Sequence, residues 1–468
     1  MFPCIGRAEA SRRSRPTAFG RWPIDINHRH EATRPEAIVP AHRRGCSRGA
    51  GPAVLPPFSL IFARRPRTKN AAGRFGPLLP DPAGILDLPA GFAYRILERA
   101  GGDMDDGYRV PGRPDGMGCF PGPDNTWILL RNHENGPADR KIGPYRAGQS
   151  APAEAYDAAS MGGVTRLVVD ATTLERRSSN LVLAGTNRNC AGGASPWGWL
   201  TCEENVDPRH GYVFVCAANA SRVAPPQRLT GYGRFFHEAA VVDPATNIAY
   251  LTEDRADGCL YRFKPADPAA PFEGKLQALA VVGARKADTS GWALREPREI
   301  AWVDIDDPDP RDDTVRKQAQ AKGAALFRRG EGVCLAQGVV YVSATIGGPA
   351  GAGQIFRLAP AGDGGALEVL AHATSTDELD APDNITVAPW GELFMAEDGS
   401  RGNYLRGVTR DGRIFDFARN ARSPSELAGV CFSPDGKALF VNMQEDGLTL
   451  AVRGPFPEIS AGAGSPTR

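Results

Sequence analysis

The chain has 468 residues, 42% hydrophobic and 23% charged, and lacks the ~20-residue apolar run of a membrane-spanning helix, so we expect a globular protein without a membrane partner. The 54 glycines and 40 prolines favour a turn-rich β fold over a helical bundle. Residues 1–75 carry 15 Lys and Arg against 4 Asp and Glu, whereas the remainder carries 40 against 50, so the main body suits cations and we expect no nucleic-acid partner.

The first 75 residues are rich in Arg, Pro, Ser and His and lack a hydrophobic period, which predicts a disordered basic leader. A secretory signal would place a basic end before an apolar core and a small-residue cleavage site. The apolar run at 53–62 does not match, because two prolines interrupt it and Arg64 and Arg65 follow it. We therefore interpret the leader as a misassigned translation start, and we expect a folded body at 76–456 and a flexible tail at 457–468.

A hairpin-like unit recurs six times along the body, each time as two short apolar runs around a turn rich in Pro, Gly, Asp or Asn. The copies lie at residues 118–134, 189–205, 237–254, 330–345, 382–398 and 427–444. Such repetition indicates a propeller, in which four-stranded blades surround a central channel. We therefore predict an all-β protein, a six-bladed β-propeller with a disordered N-terminal leader.

The ends of these hairpins collect acidic residues. In an antiparallel hairpin the start of the first strand lies beside the end of the second, so both ends meet at one mouth of the channel. Like charges gathered there destabilise a fold unless cations compensate them, which predicts a metal site. The predicted metal ligands are Cys190, Glu134, Glu203, Glu204, Glu238, Asp254, Glu331, Asp383 and Glu397.

The residue types at this mouth indicate which cations bind. Calcium takes six to eight oxygen ligands, which carboxylates from different strands can supply. A thiolate from Cys190 is unusual for calcium and favours a transition metal such as iron. For any single acidic residue the structural alternative is a solvated or capping side chain, but the recurrence over six units favours metal.

At these same residues the chain resembles the PhoX-type alkaline phosphatases, a family of six-bladed propellers with iron and calcium at one channel mouth. The resemblance runs from about residue 85 to 450. Its most specific part is N-C-A-G-G-A-S-P-W-G-W-L-T-C-E-E-N at 189–205, supported by G-R-F-F-H-E-A at 233–239 and D-A-P-D-N-I at 380–385.

The resemblance implies roles for particular residues. It implies that Asn205 and Arg329 bind the substrate phosphate, and an arginine suits this role because its planar fork matches phosphate oxygens. A salt bridge to a neighbouring carboxylate is the structural alternative for Arg329. The metal-holding residues that it implies are Cys190 for iron, together with Glu204, Glu238 and Glu331, the last of which also belongs to the predicted catalytic centre.

We therefore predict a metal-dependent phosphomonoesterase with iron and calcium as cofactors, acting as a monomer on small-molecule phosphoesters. The resemblance suggests export, although no clear signal peptide is visible. Two alternatives stay open at this point: a calcium-dependent, lactonase-like propeller hydrolase that uses Glu238, Asn205 and Asp383, and a non-catalytic propeller that binds protein or peptide at its faces. The sequence contains no G-x-S-x-G nucleophile motif, which leaves a serine hydrolase without support.

Overall fold

The computed structural model describes residues 73–458, which form β-strands with almost no helix. The first nine strands are β1 (Leu78–Leu79), β2 (Leu86–Pro89), β3 (Ala93–Arg99), β4 (Pro114–Gly122), β5 (Thr126–His133), β6 (Gly162–Asp170), β7 (Arg176–Thr186), β8 (Asn189–Ser195) and β9 (Gly198–Glu203). The next nine are β10 (Val213–Cys216), β11 (Gln227–Arg228), β12 (His237–Val242), β13 (Ala249–Glu253), β14 (Tyr261–Pro265), β15 (Gly274–Val281), β16 (Arg298–Asp304), β17 (Gly330–Ala336) and β18 (Val339–Ala344). The last nine are β19 (Gln354–Ala361), β20 (Gly364–His372), β21 (Pro382–Val387), β22 (Leu393–Glu397), β23 (Tyr404–Val408), β24 (Ile414–Asn420), β25 (Leu427–Phe432), β26 (Leu439–Met443) and β27 (Leu448–Arg453).

The helical segments in the described part of the chain are short: α1 (Val315–Ala321) and two 3-10 turns at Thr230–Tyr232 and Thr289–Gly291. None of the helices between residues 73 and 458 has the length and apolar character needed to cross a bilayer. The predicted leader up to residue 72 and the predicted tail from residue 459 lie outside the described residues.

Hydrogen bonds join the strands into five sheets within residues 73–458. Strands β4 to β7 form one sheet, and β8 to β11 form the next. A nine-stranded sheet follows, in which β16 links β12–β15 to β17–β20 through a pairing with β20. Strands β21 to β24 are extended by β2 and β1, and β25 to β27 are completed by β3. The protein is therefore all-β, as predicted.

Six hairpins within these sheets share one register. They are β4–β5, β8–β9, β12–β13, β17–β18, β21–β22 and β25–β26. In each, the first residue of the first strand pairs with the last residue of the second, as Asn189 does with Glu203. The register then shifts within the next few residues, so each of these first strands begins with a β-bulge. The repeat predicted from the sequence thus extends to single residues.

The first strands of the hairpins contact one another in a closed circle, in the order β4, β8, β12, β17, β21, β25 and back to β4. Glycines at the bulges permit this close approach. A Cβ on Gly116 would lie 2.6 Å from Ala191 Cα, and a Cβ on Gly332 would lie 2.7 Å from the Asp383 carbonyl oxygen. The circle surrounds a small cavity of about 40 Å³, lined by residues of all six first strands. The arrangement is therefore propeller-like, around a narrow channel.

A strand from the start of the body closes the last sheet. Strand β3 pairs with β27, which joins the two ends of the described chain. Phe75 packs edge-on against Phe417 at 5.3 Å between ring centroids, and Phe92 packs on Phe456 at 4.9 Å. Residues 73–75, which were predicted to belong to the leader, are therefore packed on the body.

Candidate active site

The second residue of each hairpin's first strand lies at the bulge. A bulge re-aims a side chain, and five of these six positions carry a group that can bind metal. Glu238 and Asp115 are each 1% exposed, and Cys190 is half-buried. The six residues, called here the bulge set, are Asp115, Cys190, Glu238, Glu331, Asp383 and Ala428.

The residue that follows each hairpin's second strand supplies a further group at the same mouth. Side chains alternate between the two faces along a strand, so this residue and the one before it point in opposite directions. Electrostatic interactions link Glu134, Glu204 and Asp254 to the bulge set. The six residues, called the trailing set, are Glu134, Glu204, Asp254, Thr345, Asp398 and Gln444.

The residue that precedes each first strand completes the repeat, and three of these six residues are arginines. Arg113, Arg188 and Arg329 adopt left-handed backbone conformations, with φ of 44°, 51° and 54°. Glu426 holds the same position in the last hairpin. The six residues, called the leading set, are Arg113, Arg188, Phe236, Arg329, Ala381 and Glu426.

Two groups of side chains are close enough to hold cations. Ligand atoms of Cys190, Glu204 and Glu238 all lie within 4.8 Å of one another. Those of Glu238, Glu331 and Asp383 do the same, so Glu238 belongs to both groups. The first group offers sulfur and oxygen, and the second offers oxygen alone, which are donor sets for a transition metal and for calcium respectively.

Burial and like charge make these carboxylates hard to ionise. Burial raises the pKa of Glu238 well above its usual range, and the neighbouring Glu331 and Asp383 raise it further. Burial also raises the pKa of Asp383 to about 8, with Asp398 adding to the effect. The Cys190 thiol has a raised pKa for the same reasons, burial first and Asp115 next.

Several oxygens in this cluster lack a hydrogen-bond partner within residues 73–458, namely Asp115 Oδ1, Glu238 Oε1 and Glu331 Oε1. An orphaned buried oxygen is costly, and an acidic cluster that binds no cation is more so. The unpartnered oxygens, the raised pKa values and the donor chemistry agree, so the residues fit a multi-cation centre.

Arg329 forms the basic side of the cluster. Its Nε and Nη2 donate to the two carboxylate oxygens of Asp254 at 2.8 and 2.9 Å. The same guanidinium lies 3.1 Å from Glu331 Oε1, but it is not aligned for a hydrogen bond. The bond to Asp254 raises the pKa of Arg329 still further, so the guanidinium keeps its charge. Three of its five N–H donors stay available to a ligand.

Eight of the predicted site residues gather at this mouth, and three do not. The residues gathered are Cys190, Glu134, Glu204, Glu238, Asp254, Glu331, Asp383 and Arg329. Glu203 accepts hydrogen bonds from His210 Nδ1 at 2.6 Å and from the Asn187 and Gly211 amides. Since Glu203 ends its strand, it points away from the mouth and Glu204 points toward it.

The side chains of Glu397 and Asn205 also form hydrogen bonds outside the acidic cluster. Glu397 ends β22 as Glu203 ends β9, and it accepts from the Arg406 Nε at 2.9 Å. The Asn205 amide donates to the Asn187 carbonyl at 2.7 Å and accepts from the Asp207 amide at 3.0 Å. Both side chains also bond the backbone that precedes a hairpin, Asn205 at Asn187 and Glu397 at Asp380.

The predicted set of metal ligands omitted four residues of the cluster, Asp115, Asp398, Glu426 and Gln444. Gln444 donates to Asp115 Oδ2 at 2.7 Å and to Glu134 Oε2 at 3.2 Å. The Cys190 thiol donates to the same Asp115 oxygen at 3.6 Å. Asp398 and Glu426 lie beside each other, and burial raises the pKa of both carboxyls. Aligning Asp115-Gly116 with Glu331-Gly332 would have revealed Asp115, because both pairs begin a bulge.

Buried carboxylates, a thiol and arginines at one mouth of a propeller-like channel are the features of a metal-dependent enzyme for an anionic substrate. Residues 73–447 match the family model described as alkaline phosphatase PhoX. The chain belongs to the PhoX family, and it is a metal-dependent alkaline phosphatase.

The structure is similar to that of Pseudomonas fluorescens PhoX in complex with vanadate, a transition state analogue. The TM-score is 0.60 at 19% identity, over 79% of this chain and 96% of that chain, and this likeness shows the fold. No curated protein matches the chain.

More distant similarities are found to gluconolactonases. One from Xanthomonas campestris has a TM-score of 0.43 at 12% identity, over 81% of this chain and 98% of that one. The periplasmic gluconolactonase of Pseudomonas aeruginosa has a TM-score of 0.40 at 16% identity, over 81% and 98%. Neither bears on the function of this chain.

Proposed function

We propose that the protein hydrolyses small-molecule phosphomonoesters with iron and calcium bound at the acidic mouth. The observation that carries the proposal is the pair of ligand groups that share Glu238, one containing the Cys190 sulfur and the other oxygen alone. We assign iron to Cys190, Glu204 and Glu238, since sulfur favours a transition metal. We assign calcium to Glu238, Glu331 and Asp383, since calcium prefers carboxylate oxygens.

The bound cations would supply Lewis-acid charge opposite the phosphate oxygens. Arg329 would bind the phosphate with the N–H donors that Asp254 does not use. Asp254 holds Nε and Nη2, so the guanidinium is oriented before the substrate arrives, and a preorganised donor stabilises charge that develops in the transition state. The salt bridge and the phosphate contact are therefore compatible roles for Arg329.

Glu331 would serve as a ligand and would keep Arg329 beside the cations, since its Oε1 lies 3.1 Å from the guanidinium. Asn205 was predicted to bind phosphate. Because its amide already bonds the Asn187 carbonyl and the Asp207 N–H, we propose that Asn205 positions Glu204, the residue before it.

We also propose that the sheets form six blades, in a body that begins at residue 73 and ends near residue 456. This is supported by the six hairpins of equal register and by the circle of six first strands. The nine-stranded sheet divides at β16 into two four-stranded blades.

The proposal is tested on purified full-length protein by elemental analysis and by hydrolysis of 4-nitrophenyl phosphate. We expect iron and calcium in the wild type, and loss of iron and activity in Cys190→Ser. Cys334→Ser is the matched control, because Cys334 is also half-buried but lies outside both ligand groups. Calcium without iron would favour a calcium-dependent hydrolase, and protein without metal or activity would favour a binding module. Either result contradicts the proposal.

A further inference from the structure

Arg188 belongs to the leading set, and its backbone position is fixed by two neighbouring hairpins. Its N–H donates to the Asn135 carbonyl at 3.1 Å, and its carbonyl accepts from the Glu204 N–H at 2.9 Å. Glu204 directly follows the second strand of its hairpin, and Asn135 is the second residue after β5. The left-handed backbone of Arg188, with φ of 51°, is thus held at the junction of two hairpins at the mouth.

The guanidinium of Arg188 is not committed to a partner within residues 73–458. The other two arginines of the leading set are paired, Arg329 with Asp254 at 2.8 Å and Arg113 with Asp139 at 3.3 Å. Arg188 is exposed, and it forms no ion pair or side-chain hydrogen bond with the described residues. Its charge nevertheless reaches the cluster, because electrostatic interactions link the guanidinium to the Glu134 and Glu204 carboxylates.

The metal-ligand groups and Arg188 lie at different depths in the mouth, so a substrate that enters it would meet them in turn. The shared ligand Glu238 is 1% exposed, so a phosphate held at the ligand groups lies deep in the mouth. The alcohol part of the ester then extends outward, toward solvent. Arg188 is exposed and its guanidinium has no partner among the described residues, so it is free for an anion at the outer edge of the mouth.

We propose that Arg188 binds a second anionic group on the alcohol part of the substrate. The preferred substrates are therefore phosphomonoesters that carry an additional carboxylate or phosphate. This inference rests on the proposed phosphatase function. It uses the planar fork of arginine, which binds carboxylate and phosphate oxygens through two parallel hydrogen bonds.

The test compares two non-hydrolysable ligands, phenylphosphonate and 4-carboxyphenylphosphonate, by calorimetric titration of the metal-loaded protein. The variant is Arg188→Gln, which keeps length and hydrogen bonding but removes the charge. The control is Arg113→Gln, at the same position of the preceding hairpin. We expect Arg188→Gln to lower the affinity for 4-carboxyphenylphosphonate about tenfold relative to the affinity for phenylphosphonate. This is the scale of one hydrogen bond to a charged group. We expect Arg113→Gln to leave the ratio of the two affinities unchanged.

An equal effect of Arg188→Gln on both ligands would overturn the inference, as would an unchanged ratio or failure of the wild type to bind either phosphonate. Hydrolysis of phenyl phosphate is measured on the same samples. If the ratio changes as expected while no phosphomonoester is hydrolysed, the proposed function fails and the anion contact of Arg188 stands. If hydrolysis is found and the ratio does not change, the phosphatase stands and the role of Arg188 fails.

Discussion

Replacing Arg329 by lysine keeps the positive charge and removes the planar fork. In the structure, Nε and Nη2 of Arg329 bond both oxygens of Asp254, at 2.8 and 2.9 Å. Three N–H donors are left in a fixed plane beside Glu331. A lysine ammonium can pair with Asp254, but it cannot hold that carboxylate bidentately and also present a second, oriented edge to phosphate.

The expected loss falls on catalysis. Removing one preorganised donor from a transition state costs about 2–4 kcal/mol, or roughly 30- to 1,000-fold in kcat/KM. The folded state should lose less, because the ammonium of a lysine can still pair with Asp254 and the Arg329 side chain is 36% exposed. Arg329→Lys should therefore separate activity from stability.

The assay measures hydrolysis of an aryl phosphate, metal content and melting temperature on the same preparation. Arg328→Lys is the matched control, because Arg328 is the adjacent residue and pairs with Asp288 away from the ligand groups. Normal turnover by the Arg329→Lys variant together with a clearly lower melting temperature would contradict this expectation. That pattern would mean that the guanidinium only pairs with carboxylates.

Three further results are expected. Deleting residues 1–72 should leave the denaturant midpoint of unfolding unchanged. Phe75→Ala should lower the free energy of unfolding by about 2 kcal/mol, since the Phe75 ring packs on Phe417. Equal effects of the two changes would mean that the folded body does not begin at residue 73. Glu203→Gln should destabilise the fold by about 3 kcal/mol while metal content is kept, since Glu203 is a buried acceptor for His210; loss of metal would make Glu203 a ligand. The melting temperature of the metal-free protein should fall progressively as pH rises from about 4 to about 8. Burial raises the pKa of Asp383 to about 8, so in this range the folded state keeps a proton on Asp383. The unfolded chain has already released that proton, so rising pH favours unfolding. Calcium should abolish this trend, and a rise in melting temperature over the same range without calcium would contradict it.

The hairpin repeat could be predicted because its signal is local. Each copy contains two short apolar runs and a turn, and the positions of the strand ends follow from these features alone. Cys190, Glu238 and Asp383 could be assigned to one mouth for this reason, since each lies at the start of a hairpin, and the structure brings each of them into a ligand group.

Which of two adjacent acidic side chains faces the mouth depends on the register of the strand, and the sequence alone does not define that register. Glu203-Glu204 and Glu397-Asp398 each place two acids at a strand end, and a shift of one residue exchanges the inward and outward side chains. The structure directs Glu204 to the ligand group and Glu203 to His210.

Asp115 was missed because the bulge lengthens the first strand. The predicted copy began at residue 118, whereas β4 begins at Pro114, three residues before the register recovers at Met117. A bulge adds a residue to one strand without an apolar signature, so the apolar pattern alone does not show where it lies, although the acidic-Gly pair that Asp115-Gly116 shares with Glu331-Gly332 does.

We propose that the mouth holds iron through Cys190, Glu204 and Glu238. Anomalous X-ray diffraction at the iron absorption edge, measured on crystals of the purified protein, tests this directly. We expect an anomalous peak within coordination distance of the Cys190 Sγ and of carboxylate oxygens of Glu204 and Glu238. A peak at any other place, or iron-loaded crystals without a peak at these three residues, would contradict it.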